Sequence, residues 1–131
     1  TSIASDGPLT VFGVGSPHPR TYGTFARVLG SYVRERNIIS LEEAIRKMTS
    51  LPARILSINK RGLIKEGYYA DITVFDSRAI IDKATFEDPH QYAEGIHSVI
   101  VNGVIVVEQG VHNGNKPGKV LRGPGYIVGN E

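Results

Sequence analysis

The sequence contains no cysteine, no tryptophan and a single methionine. Without cysteine the chain can form neither a disulfide framework nor a thiolate-bound metal site, and this usage suits the cytoplasm. No apolar run approaches the roughly 20 residues that a membrane-spanning helix needs, and no charged and then apolar leader opens the chain. We therefore expect a cytoplasmic protein with no membrane partner.

The sequence also has no large excess of positive or negative charge. The net charge is +2 at pH 7, and only Lys116, Lys119 and Arg122 form a loose basic tail. Proteins that bind nucleic acids usually carry a denser basic stripe with interleaved aromatic side chains, so we expect no nucleic-acid partner. The 131 residues, 40% of them hydrophobic, are enough for one domain that buries roughly two-thirds of its unfolded surface.

The first half of the sequence reads as a loop followed by helices. Residues 1–20 hold three glycines and three prolines, which predicts a loop with at most the end of a strand. Apolar residues then recur at i, i+3, i+4, i+7 and i+8, the period of an amphipathic helix: Phe25, Val28, Leu29, Tyr32 and Val33. Thr21 or Thr24 can cap the start of this helix, and Asn37 suits its end.

Two further helices are predicted before the middle of the chain. Ser40 is followed three residues later by Glu43, which is the pattern of a capping box at a helix N-terminus. That helix ends before Pro52, whose fixed φ can open another short turn of helix as far as Ser57.

The second half of the sequence predicts a β-sheet. Residues 70–76 and 99–108 are rich in Val, Ile and Phe, which favour strands. Asn102 and Gly103 interrupt the second run and predict a two-residue hairpin turn, because both positions must adopt positive φ. Since the hairpin is apolar on both faces, we expect a covering layer on each side, part of it supplied from outside this chain. Residues 113–125 are predicted to be an extended arm.

Two charged residues of the first loop are candidates for chemistry. Asp6 precedes Gly7, which is typical of a turn with positive φ at the glycine, but a carboxylate there can also bind a metal or accept a proton. Arg20 follows two prolines that flank His18. It is either a solvated residue of a rigid lead-in to the helix or a clamp for a carboxylate.

Other titratable residues are expected to be structural. His90, His97 and His112 lack the spacing of a metal-binding motif and are interpreted as surface or turn residues. Asp71 and Asp76 are five residues apart on one predicted strand, which places them on opposite faces, so they cannot share a site.

Several motifs together resemble one family, the N-acyl-D-amino-acid deacylases (D-aminoacylases) of the amidohydrolase superfamily. The most specific motif is His18-Pro19-Arg20 followed by Gly23-Thr24-Phe25. The others are Ser5-Asp6-Gly7, Arg27-Val28-Leu29-Gly30, Tyr32-Val33-Arg34-Glu35, Met48-Thr49-Ser50-Leu51-Pro52-Ala53, Gly67-Tyr68-Tyr69-Ala70-Asp71-Ile72, Ala84-Thr85-Phe86 and Val101-Asn102-Gly103.

The resemblance implies an α+β chain that is the closing part of a larger enzyme. Residues 1–56 would be the last strand end and the helices that close a (β/α)8 barrel. Residues 57–131 would be part of a small β-sandwich with an extended C-terminal arm.

The resemblance also implies a function. The complete enzyme would be a zinc-dependent hydrolase that cleaves N-acyl-D-amino acids, with Asp6 as the catalytic carboxylate and a metal ligand, and Arg20 holding the substrate carboxylate. The other metal ligands would lie upstream, so we expect this fragment to bind no zinc, to be inactive alone and to self-associate through the surfaces it leaves uncovered. The alternative is a stand-alone, β-rich interaction or oligomerisation module.

Overall fold

In the computed structural model, which describes residues 1–126, helices occupy the first half of the chain and a sheet the second. The helices are α1 (Arg20–Arg27), which continues as a π-helical segment (Val28–Glu35), α2 (Leu41–Met48) and α3 (Ser50–Ile55). The strands are β1 (Ile72–Phe75), β2 (Ile96–Val101), β3 (Val104–Glu108) and β4 (Val111–His112). This is the predicted α+β composition. The last five residues of the predicted second unit, 57–131, lie outside the described residues.

Helix α1 begins earlier than its apolar stripe predicts. Its N-cap is Pro19, which has no side-chain hydrogen bond, so the predicted threonine cap is wrong. Instead Nδ1 of His18 accepts a hydrogen bond from the Arg20 amide at 3.0 Å, and this contact satisfies one of the free N–H groups of the first turn. The predicted end is confirmed: Asn37 adopts φ 51° just after the π-helical segment.

Of the two hydrogen bonds that make up the predicted capping box of α2, the one to the Ser40 side chain is confirmed. The hydroxyl of Ser40 accepts a hydrogen bond from the Glu43 amide at 3.2 Å. The Glu43 carboxylate pairs with Arg46 at 2.6 and 2.7 Å, and the hydrogen bond from Arg46 lowers the pKa of Glu43 to about 2. Helix α3 begins at Ser50, two residues before Pro52, because proline is tolerated anywhere in a first turn.

The sheet is antiparallel, and its strands follow the order β1-β2-β3-β4. Asn102 and Gly103 join β2 to β3 with φ values of 49° and 82°, the double positive φ that the sequence predicts for the hairpin. Strand β1 is shorter than the predicted run, because only four of its residues pair with β2.

The two faces of the sheet have different surroundings. One face carries Thr73, Phe75 and Val99, and it meets α1, the π-helical segment and α2 across an apolar cavity of about 370 Å³. The opposite face carries the pairs Ile72–Ile100 and Ile100–Ile105. We call it the outer face; Val74 and Ile105 on it keep 45% and 40% of their surface exposed. Within the described residues, helices therefore cover the first face, whereas the outer face is partly exposed, with Ile72 and Ile100 half-buried.

Helices and sheet are joined through the segment of residues 80–82, which crosses α1 and the π-helical segment at close range. Ile80 is 2% exposed and belongs to one cluster with Ala26, Val28, Leu29 and Ala44. Gly30 makes the approach possible, because a Cβ there would lie 2.7 Å from the carbonyl oxygen of Ile80.

Ion pairs and hydrogen bonds flank this crossing. The Arg27 guanidinium pairs with the buried Asp82 carboxylate at 2.9 Å, and Arg34 donates a hydrogen bond to the Ile80 carbonyl at 2.6 Å. At Gly23 a Cβ would lie 2.8 Å from Cβ of Asp82. Gly23 and Gly30 are seven residues apart, on the same helical face, and the crossing requires both.

Replacing Gly30 by alanine should destabilise the protein. A new methyl group must displace the Ile80 carbonyl, which costs about 1–3 kcal/mol as overpacking and exceeds the roughly 1 kcal/mol gained in helix propensity. We expect the free energy of unfolding, measured by urea denaturation, to fall by about 1–2 kcal/mol. The control is Gly118→Ala, where a Cβ meets nothing within 4 Å; an equal loss in both variants would contradict the argument.

Candidate functional site

The two candidates of the first loop, 14 positions apart in the sequence, lie side by side in the structure. Nε of Arg20 donates a hydrogen bond to the backbone carbonyl of Asp6 at 2.8 Å, and its Nη2 lies 3.4 Å from Oδ2 of the Asp6 carboxylate. A carboxylate and a guanidinium are therefore presented together at the first turn of α1.

Hydrogen bonds and close packing hold the Asp6 segment on α1. The Ser5 hydroxyl donates to the Arg20 carbonyl at 3.1 Å and accepts from the Thr24 hydroxyl at 3.2 Å. Gly7 lies so close to the helix that a Cβ there would be 2.8 Å from Cα of Thr21. The turn interpretation is wrong in its detail, because Gly7 is absent from the positive-φ glycines of the described chain; this glycine serves close packing instead.

Both charged groups remain accessible. The Asp6 side chain is 98% exposed and that of Arg20 is 47% exposed. A surface cavity of about 350 Å³ adjoins Arg20 and is lined by His18, Thr24 and Phe86 among others.

The geometry leaves one edge of the guanidinium available. Asp6 engages Nε and Nη2 of Arg20. In the described part of the chain, Nη1 of Arg20 has no hydrogen-bond partner. A planar guanidinium has a second, end-on edge formed by its two terminal nitrogens, and this edge can bind a carboxylate through two parallel hydrogen bonds.

The residues described do not form a metal centre by themselves. Residues 1–126 contain no group of three or more His, Asp or Glu side chains that could hold an ion. A catalytic zinc needs about three protein ligands and an open position. Asp6 could supply one oxygen ligand, so any metal centre would need further ligands from outside the described chain.

His90 is the residue that the sequence interpretation missed. Its Nδ1 lies 3.1 Å from the Gly13 amide and 3.0 Å from the Tyr22 hydroxyl, and its Nε2 lies 3.0 Å from the Gly15 carbonyl. It is half-buried and joins the first loop to α1. No spacing motif could have revealed this role, because its partners are 68 to 77 positions away.

Of the other predicted turn or surface histidines, His112 has a local contact, and the described contacts show no role for the side chain of His97. Nδ1 of His112 accepts a hydrogen bond from the Gly114 amide at 3.0 Å, and His97 lies exposed on β2.

The two aspartates that flank β1 make contacts within the fold. Asp71 pairs with Arg61 and accepts a hydrogen bond from the Asn102 amide of the hairpin turn at 2.8 Å. Asp76 accepts one from the Arg78 amide at 2.8 Å. Burial acts to raise the pKa of Asp71, but the Asn102 amide and the Arg61 guanidinium outweigh it and hold that pKa below its ordinary value of 3.8.

Comparison with known sequences identifies the class of protein. Residues 1–107 match the sequence model of an amidohydrolase family, so this chain belongs to the amidohydrolase family. It is 44% identical over 129 residues to the N-acyl-D-aspartate deacylase of Alcaligenes xylosoxydans xylosoxydans, which is 98% of this chain and 25% of that protein.

Solved structures give the same grouping. A structure of D-aminoacylase, described with a binuclear metal centre, matches with a TM-score of 0.80 and 49% identity over 81% of this chain and 22% of that one. The N-acyl-D-glutamate deacylase of Bordetella bronchiseptica, solved with zinc and a phosphonate inhibitor, matches with a TM-score of 0.70 and 46% identity over 72% and 20%. This chain thus spans 20–25% of the length of these relatives. None of the helices described here is long and apolar enough to cross a membrane.

Replacing Asp71 by asparagine should remove an acid-sensitive part of the stability. Because the native pKa lies below the unfolded one, the contribution of Asp71 is fully present above pH 3.8 and is lost as the pH falls through the native pKa. We expect Asp71→Asn to lower the free energy of unfolding by about 1–3 kcal/mol at pH 7.

The difference between Asp71→Asn and the unmodified protein should shrink as urea denaturation is repeated at lower pH. Asp6→Asn serves as the control, because a fully solvated carboxylate should change stability by less than about 0.5 kcal/mol. A difference that stays constant down to the acid limit would contradict the proposed pKa shift.

Proposed function

We propose that this chain is part of an amidohydrolase that cleaves the amide bond of N-acyl-D-amino acids to a carboxylate and a D-amino acid. The observation that carries the proposal is the pairing of Asp6 with Arg20 at 3.4 Å at the start of α1. This pairing brings together a proton-transferring group and a carboxylate-binding group. The similarity to N-acyl-D-aspartate and N-acyl-D-glutamate deacylases supports this substrate class.

Arg20 would bind the α-carboxylate of the substrate. Its Nε and Nη2 contact Asp6, which orients the guanidinium, and 47% of the side chain remains exposed. Charge-assisted, bidentate binding of this kind fixes both the position and the orientation of a carboxylate. The free carboxylate distinguishes an N-acyl-amino acid from other amides, so Arg20 would confer this part of the specificity.

Asp6 would transfer the proton in the hydrolysis. The carboxylate would take a proton from the water that adds to the amide carbon, and would return it to the nitrogen as the C–N bond breaks. A zinc ion bound in the complete protein would lower the pKa of that water and polarise the carbonyl. Asp6 is the one described residue that we assign to that metal, and the remaining ligands would come from other parts of the protein.

The assignment to a barrel and a sandwich is part of the same proposal. Residues 1–56 would close a (β/α)8 barrel, with Asp6 at the end of its last strand, and residues 57–131 would belong to a small β-sandwich. In such barrels the reacting groups lie at the carboxyl ends of the strands, in the loops that precede the helices. Asp6 lies in the loop that precedes α1 and contacts the first turn of that helix through Arg20, which agrees with this arrangement.

Since this chain spans a fifth to a quarter of its relatives, we also propose that the 131-residue chain alone is inactive and self-associates. The outer face exposes Val74 and Ile105, and β1 forms an edge of the sheet. Uncovered apolar faces and strand edges both favour association with a second copy. This association is also what the alternative, an oligomerisation module without catalysis, would require.

The roles of the two residues predict different kinetic effects in the complete enzyme. Arg20→Ala should raise KM about 10- to 150-fold with a smaller change in kcat, because a hydrogen bond to a charged group contributes about 1.5–3 kcal/mol. Asp6→Asn should reduce kcat to background, because an amide cannot accept the proton. Hydrolysis of N-acetyl-D-amino acids, followed by release of the D-amino acid, measures both.

Matched controls separate these roles from general effects of charge. Arg78→Ala removes an arginine that is 91% exposed, and Glu66→Gln neutralises an exposed carboxylate; both should leave kcat and KM within about twofold. Normal kcat in Asp6→Asn, or normal KM in Arg20→Ala, would refute the corresponding assignment.

Sedimentation velocity on the 131-residue chain tests self-association. We expect dimers at micromolar concentration and a shift to monomer in Ile105→Lys, because a charge on the outer face opposes its burial. Val120→Lys on the C-terminal arm, where Val120 is 79% exposed, should leave the dimer intact. A monomeric unmodified chain across the concentration range would contradict the expectation.

A further inference from the structure

We infer that His90, in its neutral form with the proton on Nε2, is a positioning residue that holds the loop of residues 10–15 beside the Asp6–Arg20 site. That His90 holds the loop follows from the geometry of this chain alone. The effect on the substrate rests on the proposed function.

The hydrogen bonds of the imidazole specify its protonation state. The Gly13 amide can only donate, so Nδ1 of His90 must accept at 3.1 Å. The Gly15 carbonyl can only accept, so Nε2 must donate at 3.0 Å. The neutral Nε2–H tautomer satisfies both contacts, and its single Nδ1 lone pair is shared with the Tyr22 hydroxyl 3.0 Å away. A proton on Nδ1 would place two N–H groups opposite each other and break the contact with Gly13.

The loop has little other support from its own backbone. Gly13 and Gly15 adopt φ values of 79° and 72°, and the described loop contains one backbone hydrogen bond, from the Val14 amide to the Val11 carbonyl at 3.0 Å. Both nitrogens of His90 thus bind the part of the loop that is least constrained by regular structure. Removing the imidazole would leave two positive-φ positions without a partner for their polar groups.

Aromatic packing completes the attachment. The Phe12 ring stacks on Tyr92 with centroids 4.9 Å apart and meets the edges of Tyr22 and His90 at 6.0 and 5.6 Å. The Tyr22 hydroxyl also lies 3.3 Å from the Thr10 hydroxyl. The loop is therefore bound to α1 and to the segment around His90 by one continuous cluster.

The held loop exposes apolar side chains to solvent. It begins four residues after Asp6, and Val11 and Val14 are 70% and 64% exposed. We infer that these side chains form an apolar wall for the acyl chain or the side chain of the substrate. Fixing the loop would lower the ordering cost of binding, which affects affinity more than the rate of bond cleavage.

Hydrogen exchange of the complete enzyme, followed by mass spectrometry of the peptide that contains residues 10–15, tests the positioning role. His90→Ala should increase the exchange rate about tenfold, and His90→Gln, which retains one acceptor and one donor, should restore most of the protection. Unchanged exchange in His90→Ala would overturn the inference.

Kinetics of the same variants test the effect on the substrate. For N-acyl-D-amino acids with a large apolar side chain, His90→Ala should raise KM about tenfold with kcat within about twofold, and His90→Gln should rescue KM. His112→Ala, which removes a comparable contact to a backbone amide in another part of the chain, is the control and should change neither readout.

Hydrogen exchange and enzyme kinetics together distinguish a failure of this inference from a failure of the proposed function. Faster exchange with an unchanged KM would refute the apolar wall and leave the role of His90 in holding the loop supported. An unmodified enzyme without deacylase activity would refute the proposed function, and the exchange experiment would still decide the positioning role.

Discussion

The close crossing of α1 and the π-helical segment by residues 80–82 is the contact on which the rest of the structure depends. Gly23 and Gly30 lack side chains where residues 80–82 pass, so the backbone of those residues can lie directly against the helix. Ile80 is buried among apolar residues of α1, the π-helical segment and α2, and this burial joins the helical half to the sheet. Since the segment continues towards His90, the same crossing places the imidazole beside Tyr22 and the first loop.

The candidate site depends on α1 in a similar way. The first turn of the helix carries Arg20, and the hydroxyls of Ser5 and Thr24 hold the neighbouring segment on it. A paired carboxylate and arginine thereby remain exposed, whereas Arg61 and Asp71 are more enclosed at the hairpin. Exposure distinguishes the two pairs: the first can exchange partners with a ligand, and the second stabilises the fold.

Sequence reasoning succeeded where the deciding contact is short-range. Ser40 caps α2 through an amide three residues away, and Asn102 with Gly103 forms the hairpin turn because both adopt positive φ. It failed at the start of α1, where the His18 side chain and not a threonine satisfies the first amide. The threonines had the right propensity for a cap, but the rigid Pro-His-Pro segment starts the helix earlier.

The sequence alone determined the secondary-structure classes, the hairpin and the two motifs that contain Asp6 and Arg20, because each rests on neighbouring residues or on a pattern of fixed spacing. Only the tertiary structure decided that these two side chains meet, that Gly7 serves packing, and that His90 binds the first loop. The reason is physical: the contacts of His90 join positions up to 77 residues apart, and no local propensity or spacing specifies which distant backbone groups will be brought to its two nitrogens.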